Sequence, residues 1–516
     1  MCLVPFLGQD FFPTVDAGEF KLHIRARAGT RIEETAKLCD QIETAIRKEI
    51  PANELDGILD NIGLPYSGIN LSYSNSGTIG TADADIMVSL KPNHRATADY
   101  ERQLRLDLPH EFPGTEFFFQ PSDMVSQILN FGLPSPIDIQ VVGQDIQSNL
   151  AEAAKISNQL RQVPGAVDVH VHELYNQPEL SVQMDRSKAE LLGISAQQIA
   201  SSELVALSGS FQTTPAFWVD PTNGVNYQVV TQVPQYDIRS IQDLNNIPIN
   251  GTNSSQLLEN LASISTTSQP AISYHYNIRP VIDVYAGVQD TDLGSVSRAV
   301  DRIVNADKKD LVRGSDLVVR GQVVTMNQSF QHLGFGLIGS IVLVYLLMVV
   351  NFQSWTEPFI IITALPGALA GISWMLFLTG TTLSVPALMG AVMCIGVATA
   401  NSILVVTFAR ERFADVKNAR EAALEAGTVR LRPVIMTATA MIIGMVPMAL
   451  GLGEGGEQNA PLGRAVIGGL LLATVATLFF VPVVYSLIRS KTNRAEPEPA
   501  PALPTEQAPV LAFQTE

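Results

Sequence analysis

Cysteine is scarce in this sequence, whose 516 residues contain only Cys2, Cys39 and Cys394. One lies at the terminus, one in a segment with helical periodicity and one in an apolar run, so the sequence offers no disulfide framework. Basic residues are outnumbered as well, with 33 Lys and Arg against 50 Asp and Glu and a net charge of −17. A chain this acidic is not expected to bind nucleic acid.

Signatures of catalysis are also missing. No nucleophile elbow and no Ser, His and Asp set indicates a hydrolase. The glycine-rich turn 451–456 lacks the GK[ST] that a phosphate-binding loop requires. We therefore expect no enzymatic activity and no cofactor.

Charged residues are confined to short connections between residues 321 and 488. Apolar runs of about 20 residues, the length that crosses a bilayer, lie between these connections. One such run would also suit a buried helix of a soluble protein, but five in succession are hard to hide from water. We predict a transmembrane domain over residues 326–490 with five helices, at 333–350, 358–380, 385–408, 433–452 and 465–488.

The bases predict the orientation of these helices. A charged loop is expected at 409–432, between the third and fourth runs, and further bases follow the fifth run. Both segments should be cytoplasmic by the positive-inside rule. The large region before residue 333 then lies on the other side, which is the periplasm for a multi-pass protein of the bacterial inner membrane. The bases concerned are Arg410, Arg412, Lys417, Arg420, Arg430, Arg432, Arg489, Lys491 and Arg494.

The first residues lack a basic region and a long apolar stretch, although a periplasmic region normally follows one. We expect residues 1–7 to be the remnant of a lost transmembrane span, and the chain to be a fragment or one piece of a split transporter. At the other end, residues 491–516 are rich in Pro, Ala and Glu and are expected to form a disordered cytoplasmic tail.

The periplasmic region shows two similar α/β patterns. Residues 8–135 contain strand signals at 19–27, 69–73, 85–90 and 115–120 and helical signals at 31–50 and 97–108, the order of a ferredoxin-like split βαβ unit. A second unit is expected at 136–205 and 267–325, with a strand pair at 167–172 and 179–183. An insertion at 206–266, rich in Asn, Thr, Ser and Pro, interrupts it. The predicted fold class is an α+β membrane protein.

Several motifs carry a family resemblance. Four segments carry it, in this order along the chain: FQSWTEPFIIITALP, IGVATANSILVVTFARER, RLRPVIMTATAMIIGMVPMAL and GGLLLATVATLFFVPVVYSL. Together with the doubled α/β units, they resemble the C-terminal half of a resistance-nodulation-division efflux permease. The resemblance implies proton-driven export of amphiphilic drugs or other small molecules by a homotrimer that joins a periplasmic adaptor and an outer-membrane channel. It also implies that the two α/β units are porter subdomains and that the insertion is a funnel for docking.

The resemblance also suggests a proton relay. In the family, an acidic pair on a span of the N-terminal half faces a Lys, whose place is taken here by Ala400 beside Asn401. Arg430 and Thr437 match two other relay positions. No predicted span contains Asp or Glu, so coupling would require an N-terminal half as partner. The alternative for Asn401 and Thr437 is helix packing through hydrogen bonds, and for Arg430 it is a topology anchor.

Two substrate classes remain open. Phe117, Phe119 and above all Phe131, which lies in a Gly- and Pro-flanked loop, are candidates for an apolar substrate path, with core packing as the alternative. Export of heavy metals is the rival within transport, because His170 and His172 share one face of a strand. No Cys or carboxylate cluster joins them, and Met124, Met184 and Met326 are unpaired, so no metal site is predicted. A non-transporting remnant of a truncated gene is a further alternative.

Overall fold

The computed structural model describes residue 3 and residues 6–64, 77–251, 255–453 and 455–492. The first α/β unit forms a four-stranded antiparallel sheet with two helices on one face. Its elements are β1 (Glu19–Arg25), α1 (Ile32–Glu49), β2 (Leu55–Ile62), β3 (Asp83–Leu90), α2 (Thr97–Glu111) and β4 (Glu116–Gln120). Its strand order is β2-β3-β1-β4.

The second strand of this sheet differs from the sequence prediction. It is Leu55–Ile62, whereas the strand signal at 69–73 lies outside the described residues. The segment LDGILDNI has two Asp and a Gly and alternates poorly, and its pairing with β3 contains a register shift between Leu55 and Gly57. Pairing with a neighbouring strand, rather than local propensity, therefore sets this strand.

Alternation along β1 gives the first sheet two different faces. Phe20, Leu22 and Ile24 point to α1 and α2 and are at most 1% exposed. The opposite, helix-free face carries Lys21, His23 and Arg25, which are also buried. Charged side chains can be buried only if they have partners, and the second sheet supplies some of the partners of these residues.

The next elements begin the second unit and then leave it. They are α3 (Met124–Leu129), β5 (Ile137–Val142), α4 (Ile146–Leu160), β6 (Ala166–Val171) and β7 (Gln177–Met184). After them come α5 (Arg186–Leu191), α6 (Ala196–Ser208), β8 (Ala216–Val219), β9 (Asn226–Val229), α7 (Ile241–Asn245), β10 (Pro248–Asn250), β11 (Ser255–Leu257), α8 (Leu258–Leu261) and β12 (Ala262–Gln269).

The predicted hairpin of 167–172 with 179–183 is wrong, because β6 pairs with β14 (Arg279–Val288) and β7 pairs with β12. Residues of α5 and α6 also share a small core with the later part of the insertion, including Ile199, Ile249 and Leu258. We call residues 206–266, together with α5 and α6, the inserted unit, because they share this core. Its local apolar cluster, which sequence spacing does not reveal, draws these helices away from the second sheet.

The second sheet is completed by β13 (Tyr274–Tyr276), β14 and β15 (Asp316–Arg320), and α9 (Leu293–Asp307) lies between the last two. The order is β13-β14-β5-β15, and β6 also pairs with β14. All pairings are antiparallel. Helices α4 and α9 cover one face through residues such as Ile156 and Val300, which are fully buried.

The membrane region follows directly from β15. Five stretches, 322–352, 356–378, 385–416, 419–449 and 456–489, have the length and composition to cross a membrane, and each overlaps a predicted run. A π-helical turn, Ala476–Phe480, lies within the last stretch. The helices are α10 (Gln322–Phe352), α11 (Thr356–Ile362), α12 (Leu365–Leu378), α13 (Val385–Val416), α14 (Ala419–Ala449), α15 (Ala460–Val475) and α16 (Val481–Thr492).

The charged loop predicted at 409–432 is wrong, because this segment is almost entirely helical. Helix α13 runs to Val416, and α14 starts at Ala419, so only Lys417 and Asn418 form the turn. Lys417 has a left-handed backbone with φ 54°, and the Asn418 side chain accepts a hydrogen bond from Arg420 N. The many Ala, Glu and Arg residues of the segment favour helix, so its charge reflects exposure to water and not irregular structure.

Candidate functional site

The helix-free faces of the two sheets meet, and we call this contact the seam. At its centre, the Phe118 ring stacks between His23, at 4.3 Å, and His170, at 3.6 Å between ring centroids. Arg25 on β1 donates through Nη1 to the Val171 carbonyl at 3.2 Å. The two units therefore contact each other through stacked rings and a guanidinium.

Carboxylates on β3 hold the basic groups of the first sheet in place. His23 Nδ1 lies 2.6 Å from Asp85 Oδ1, and Arg25 Nε donates to Asp83 Oδ1 at 3.3 Å. Lys21 forms a further ion pair with Asp85, with 3.2 Å between Nζ and Oδ2. Each of these side chains is close to fully buried, which makes the pairing necessary for stability.

The second sheet contributes a buried acidic group to the seam. Desolvation, together with the charge of Asp283, raises the pKa of Glu173 to about 8, and desolvation raises that of Asp283 to about 6. The pKa of Asp138 is raised by desolvation and by these two neighbours. Arg320 lies beside them and donates through Nε to Gln140 Oε1 at 2.7 Å.

Two further histidines of the seam are held neutral. Desolvation and the nearby Arg25 lower the pKa of His172 to about 3, and desolvation also lowers the pKa of His170. Their ring centroids are 6.5 Å apart, and His172 Nε2 lies 3.3 Å from the Tyr274 hydroxyl. Within the described parts of the chain, no group of three or more His, Cys, Asp or Glu is placed to hold a metal.

The three methionines considered with these histidines are far apart in the fold. Met124 begins α3 and is 75% exposed, Met184 ends β7 at the inserted unit, and Met326 is buried in α10. The structure therefore brings the two histidines together but not the methionines.

A cavity of about 490 Å³ opens on the same helix-free face of the first sheet, next to the seam. Its lining includes the exposed apolar side chains Leu59 and Met87 and the carboxylates of Glu19 and Asp56. It also includes Lys21 and Asp85, which form an ion pair with each other. Of the four charged groups in the lining, two carboxylates, those of Glu19 and Asp56, therefore lie outside this pair. The volume lies within the range of small-molecule sites.

The predicted aromatic path residues lie elsewhere. Phe117 and Phe119 pair with Ile24 and Leu22 on the helix-covered face, where they pack against the core of the first unit. Phe131 follows α3 with φ 58° and is 66% exposed. The residue between the two strand phenylalanines, Phe118, is the one that reaches the seam.

In the membrane region, the polar residues of α13 face other helices. Asn401 is 8% exposed, and the Ser402 hydroxyl lies 3.0 Å from that of Thr477 in the π-helical turn. A π-helical turn often marks a functional position, because it redirects side chains within a helix. The contact of Thr477 with Ser402 could not be predicted from the sequence, since it depends on the π-helical turn, which changes the direction of the side chains in this helix.

The three predicted relay residues are not joined to each other. Arg430 lies over the Phe408 ring at 5.3 Å, and Thr437 donates to the Val434 carbonyl of its own helix at 3.0 Å. Among the hydrogen bonds and ion pairs of the described residues, none links Asn401, Arg430 and Thr437.

An ionic cluster at the opposite end of the helices from the seam was missed by the sequence. Glu357 falls between the predicted runs 333–350 and 358–380, but it lies in the first turn of α11 and is 3% exposed. Its carboxylate faces Arg410 Nη1 at 3.2 Å and Arg489 Nη2 at 3.5 Å. The pairing joins residues 132 positions apart, so no local sequence signal predicts it.

The AcrB/AcrD/AcrF family model matches residues 1–489 of this chain. The chain belongs to the AcrB/AcrD/AcrF family. The resemblance to resistance-nodulation-division permeases that the motifs indicated is thereby confirmed.

The chain is similar to proteins that are named for different kinds of resistance. The cobalt-zinc-cadmium resistance protein CzcA of Cupriavidus metallidurans is 25% identical over 97% of this chain and 47% of its own length. The multidrug resistance protein MdtC of Pectobacterium atrosepticum is 27% identical over 92% of this chain and 44% of its own. A crystal structure of a heavy metal efflux pump shares the fold, with a TM-score of 0.81 at 24% identity over 95% of this chain and 48% of that one. The chain thus spans about half the length of the curated relatives it matches.

Proposed function

We propose that this protein exports amphiphilic small molecules across the envelope of a Gram-negative bacterium, driven by the proton-motive force, as the C-terminal half of a resistance-nodulation-division permease. The observation that carries the proposal is the cavity beside the seam. Its two carboxylates, Glu19 and Asp56, and its exposed Leu59 and Met87 suit a molecule with an apolar body and a positive charge.

The two α/β units act as ferredoxin-like porter subdomains in this proposal. The strand order of the first unit, with two helices on one sheet face, supports the assignment. Substrate enters between the units because the cavity and the seam share one sheet face. Opening of the seam would separate Phe118 from His170 and connect the cavity to the interior of the periplasmic region.

Coupling to protons requires a set of polar and ionisable groups within the membrane helices, and this chain supplies only some of them. Asn401 lies at a buried position between helices, and Arg430 and Thr437 lie on α14. We propose that an N-terminal half supplies the carboxylates that exchange protons, with Asn401 facing them. The five apolar stretches form the transmembrane domain in the inner membrane, with the cytoplasmic ends at the Lys417 turn and after α16.

A short segment links the periplasmic region to the membrane helices, and we call residues 8–11 the strap. Asp10 accepts a hydrogen bond from Leu293 N at the start of α9, and its own N–H donates to the Leu383 carbonyl before α13. The Val385 N–H donates to the Phe11 carbonyl. Movements of α13 are thereby transmitted to the second unit.

Partner docking is assigned to the inserted unit, which serves as the funnel. Its hairpin β8–β9 exposes Phe217, Trp218 and Tyr227, each between 47% and 54% accessible. A two-stranded hairpin is marginal by itself and gains stability when its apolar side chains are covered. We propose that other subunits of a homotrimer, the periplasmic adaptor or the outer-membrane channel cover it.

Export of a heavy metal is the second candidate substrate class. CzcA is named for resistance to cobalt, zinc and cadmium, whereas MdtC is named for multidrug resistance. The buried ring nitrogens His170 Nε2 and His172 Nδ1 have no hydrogen-bond partner among the described residues, which favours this candidate. Seam opening would make them accessible to a metal substrate.

One experiment separates the two substrate classes. The chain is expressed with its N-terminal half in a pump-deficient host, and export of a cationic dye is measured beside resistance to zinc and cobalt. Glu19→Gln with Asp56→Asn should lower dye export several-fold and leave metal resistance unchanged. His170→Ala with His172→Ala should lower metal resistance only if metal is the substrate.

The same experiment tests the requirement for a second half. Full dye export by this chain alone would contradict the proposed relay, because the five apolar runs predicted from the sequence contain no Asp or Glu. Export of neither substrate class in the presence of the N-terminal half would favour a non-transporting remnant.

A further inference from the structure

The ionic cluster of Glu357, Arg410 and Arg489 borders a second cavity, of about 440 Å³. It lies where α10, α13 and α16 end, on the side that the bases predict to be cytoplasmic. Its lining combines the two guanidiniums with the aromatic rings of Phe352 and Phe413. We call it the end cavity.

The charges of the end cavity are not balanced in its interior. Glu357 is 3% exposed and is shared by two guanidiniums, so one positive charge remains beside it. Glu411 also lines the cavity, but it is exposed, and water screens its charge. The Arg410 side chain is 49% exposed and the Arg489 side chain 30%, so both remain open to a ligand.

The guanidiniums also have unused donors. Arg410 uses Nη1 for Glu357 and for the Phe352 carbonyl at 3.4 Å. Arg489 Nε is buried and has no hydrogen-bond partner among the described residues. A guanidinium presents five N–H donors in a planar fork, which matches two oxygens of a phosphate.

The surroundings place the end cavity at a membrane surface. Trp355, two residues before Glu357, is 65% exposed, and its carbonyl accepts a hydrogen bond from the Tyr345 hydroxyl. Exposed Val483 and Leu487 lie on α16 just before Arg489. Exposed aromatic residues beside an apolar helix surface are typical of the headgroup level of a bilayer.

We propose that the end cavity binds the phosphate of an anionic phospholipid from the inner leaflet. The phosphodiester contacts Arg410 and Arg489 and balances the positive charge that Glu357 leaves. The apolar lining by Phe352 and Phe413 accommodates the glycerol and the first part of the acyl chains. The bound lipid thereby holds three helix ends together.

Lipid retention by the purified protein, measured by native mass spectrometry with phosphatidylglycerol and phosphatidylcholine, tests the proposal. Wild type should retain phosphatidylglycerol preferentially, and Arg410→Gln with Arg489→Gln should reduce this retention by about tenfold, as expected for the loss of charge-assisted hydrogen bonds. Arg412→Gln is the matched control, because Arg412 lies two residues from Arg410 but pairs with Glu425 at 2.8 Å.

Glu357→Gln keeps both guanidiniums. It therefore tests the proposal even if the double variant does not fold. It should increase phosphatidylglycerol retention, since the competing carboxylate is gone. Unchanged retention in both the double variant and Glu357→Gln would overturn the proposal. Complete displacement of the lipid by millimolar inorganic phosphate or glycerol phosphate would also overturn it, because the cavity would then be a site for free phosphate.

Discussion

At the scale of residues, the seam concentrates ionisable side chains that are normally found at the surface. His23, His170 and His172 lie within one contact, and Glu173 and Asp283 lie next to it. Burial favours the neutral forms of His170 and His172 and the protonated forms of Glu173 and Asp283, because it disfavours both kinds of charge. Lowering the pH would charge these histidines, and raising the pH would charge these carboxyls. The stability of the seam therefore decreases in both directions, over a different pH range for each kind of group.

The variant Glu173→Gln tests the pH range over which the buried carboxyls of the seam ionise. Because the pKa of Glu173 is raised to about 8, its contribution to stability is complete below the unfolded pKa of about 4.3 and is lost as the pH rises through 8. Glutamine cannot ionise and keeps an acceptor for the Asp283 N–H. We expect the melting temperature of the variant, relative to wild type, to increase as the pH is raised from about 5 to about 9.

The control for this variant is Glu190→Gln on α5, because Glu190 is exposed. Its melting temperature should follow wild type across the same range. A constant difference between Glu173→Gln and wild type would show that the carboxyl is ionised throughout.

At the scale of elements, the membrane helices α12 and α15 touch backbone to backbone. A Cβ at Gly371 would collide with the Gly468 carbonyl, and one at Gly468 would collide with Met375 and with the Gly371 carbonyl, at 2.6 Å. Without a hydrophobic driving force between helices in lipid, such close packing of small residues supplies much of their attraction.

Gly371→Ala should therefore separate these helices and destabilise the protein by about 1–3 kcal/mol, the usual cost of overpacking. Unfolding of the reconstituted protein by denaturant measures the change. Gly444→Ala on α14 is the matched control, since a Cβ there meets no atom within 4 Å among the described residues, and it should not destabilise. Equal destabilisation by both variants would mean that the loss of glycine in a helix, and not the contact, matters.

At the scale of the whole molecule, the strap joins the α/β region to the membrane helices. Asp10 contacts both α9 and the segment before α13, and Gly8 accepts a hydrogen bond from the Leu383 N–H at 2.7 Å. The strap therefore adds a second connection between the two regions, besides the direct continuation of β15 into α10.

Asp10→Ala should loosen both attachments, because the acceptor for Leu293 N is lost and the strap is no longer positioned. Hydrogen exchange measured by mass spectrometry should increase at the start of α9 and at residues 381–385. Asp145→Ala is the control, since Asp145 also accepts a hydrogen bond at a helix start, from Ser148 N, and its second side-chain hydrogen bond is with the Ser148 hydroxyl of the same helix. If exchange in Asp10→Ala became faster only in α9, Asp10 would be no more than a cap of that helix, and the linking role of the strap would be contradicted.

The family and the apolar stretches could be predicted from sequence because their signals are local. A run such as 385–408 is recognisable by its composition alone, and the alternation of Phe20, Leu22 and Ile24 in β1 follows from the two-residue period of a strand. Motifs such as RLRPVIMTATAMIIGMVPMAL carry the family resemblance in one continuous segment.

The seam, the two cavities and the Glu357 cluster were decided only by the tertiary structure. Phe118 meets His170, and Glu357 meets Arg489, through contacts between residues that are distant in the chain. The partner of β7 likewise depends on where β12 returns after the insertion. Sequence periodicity specifies which face of an element is buried, but it does not specify what covers that face, because the covering residue comes from another part of the chain.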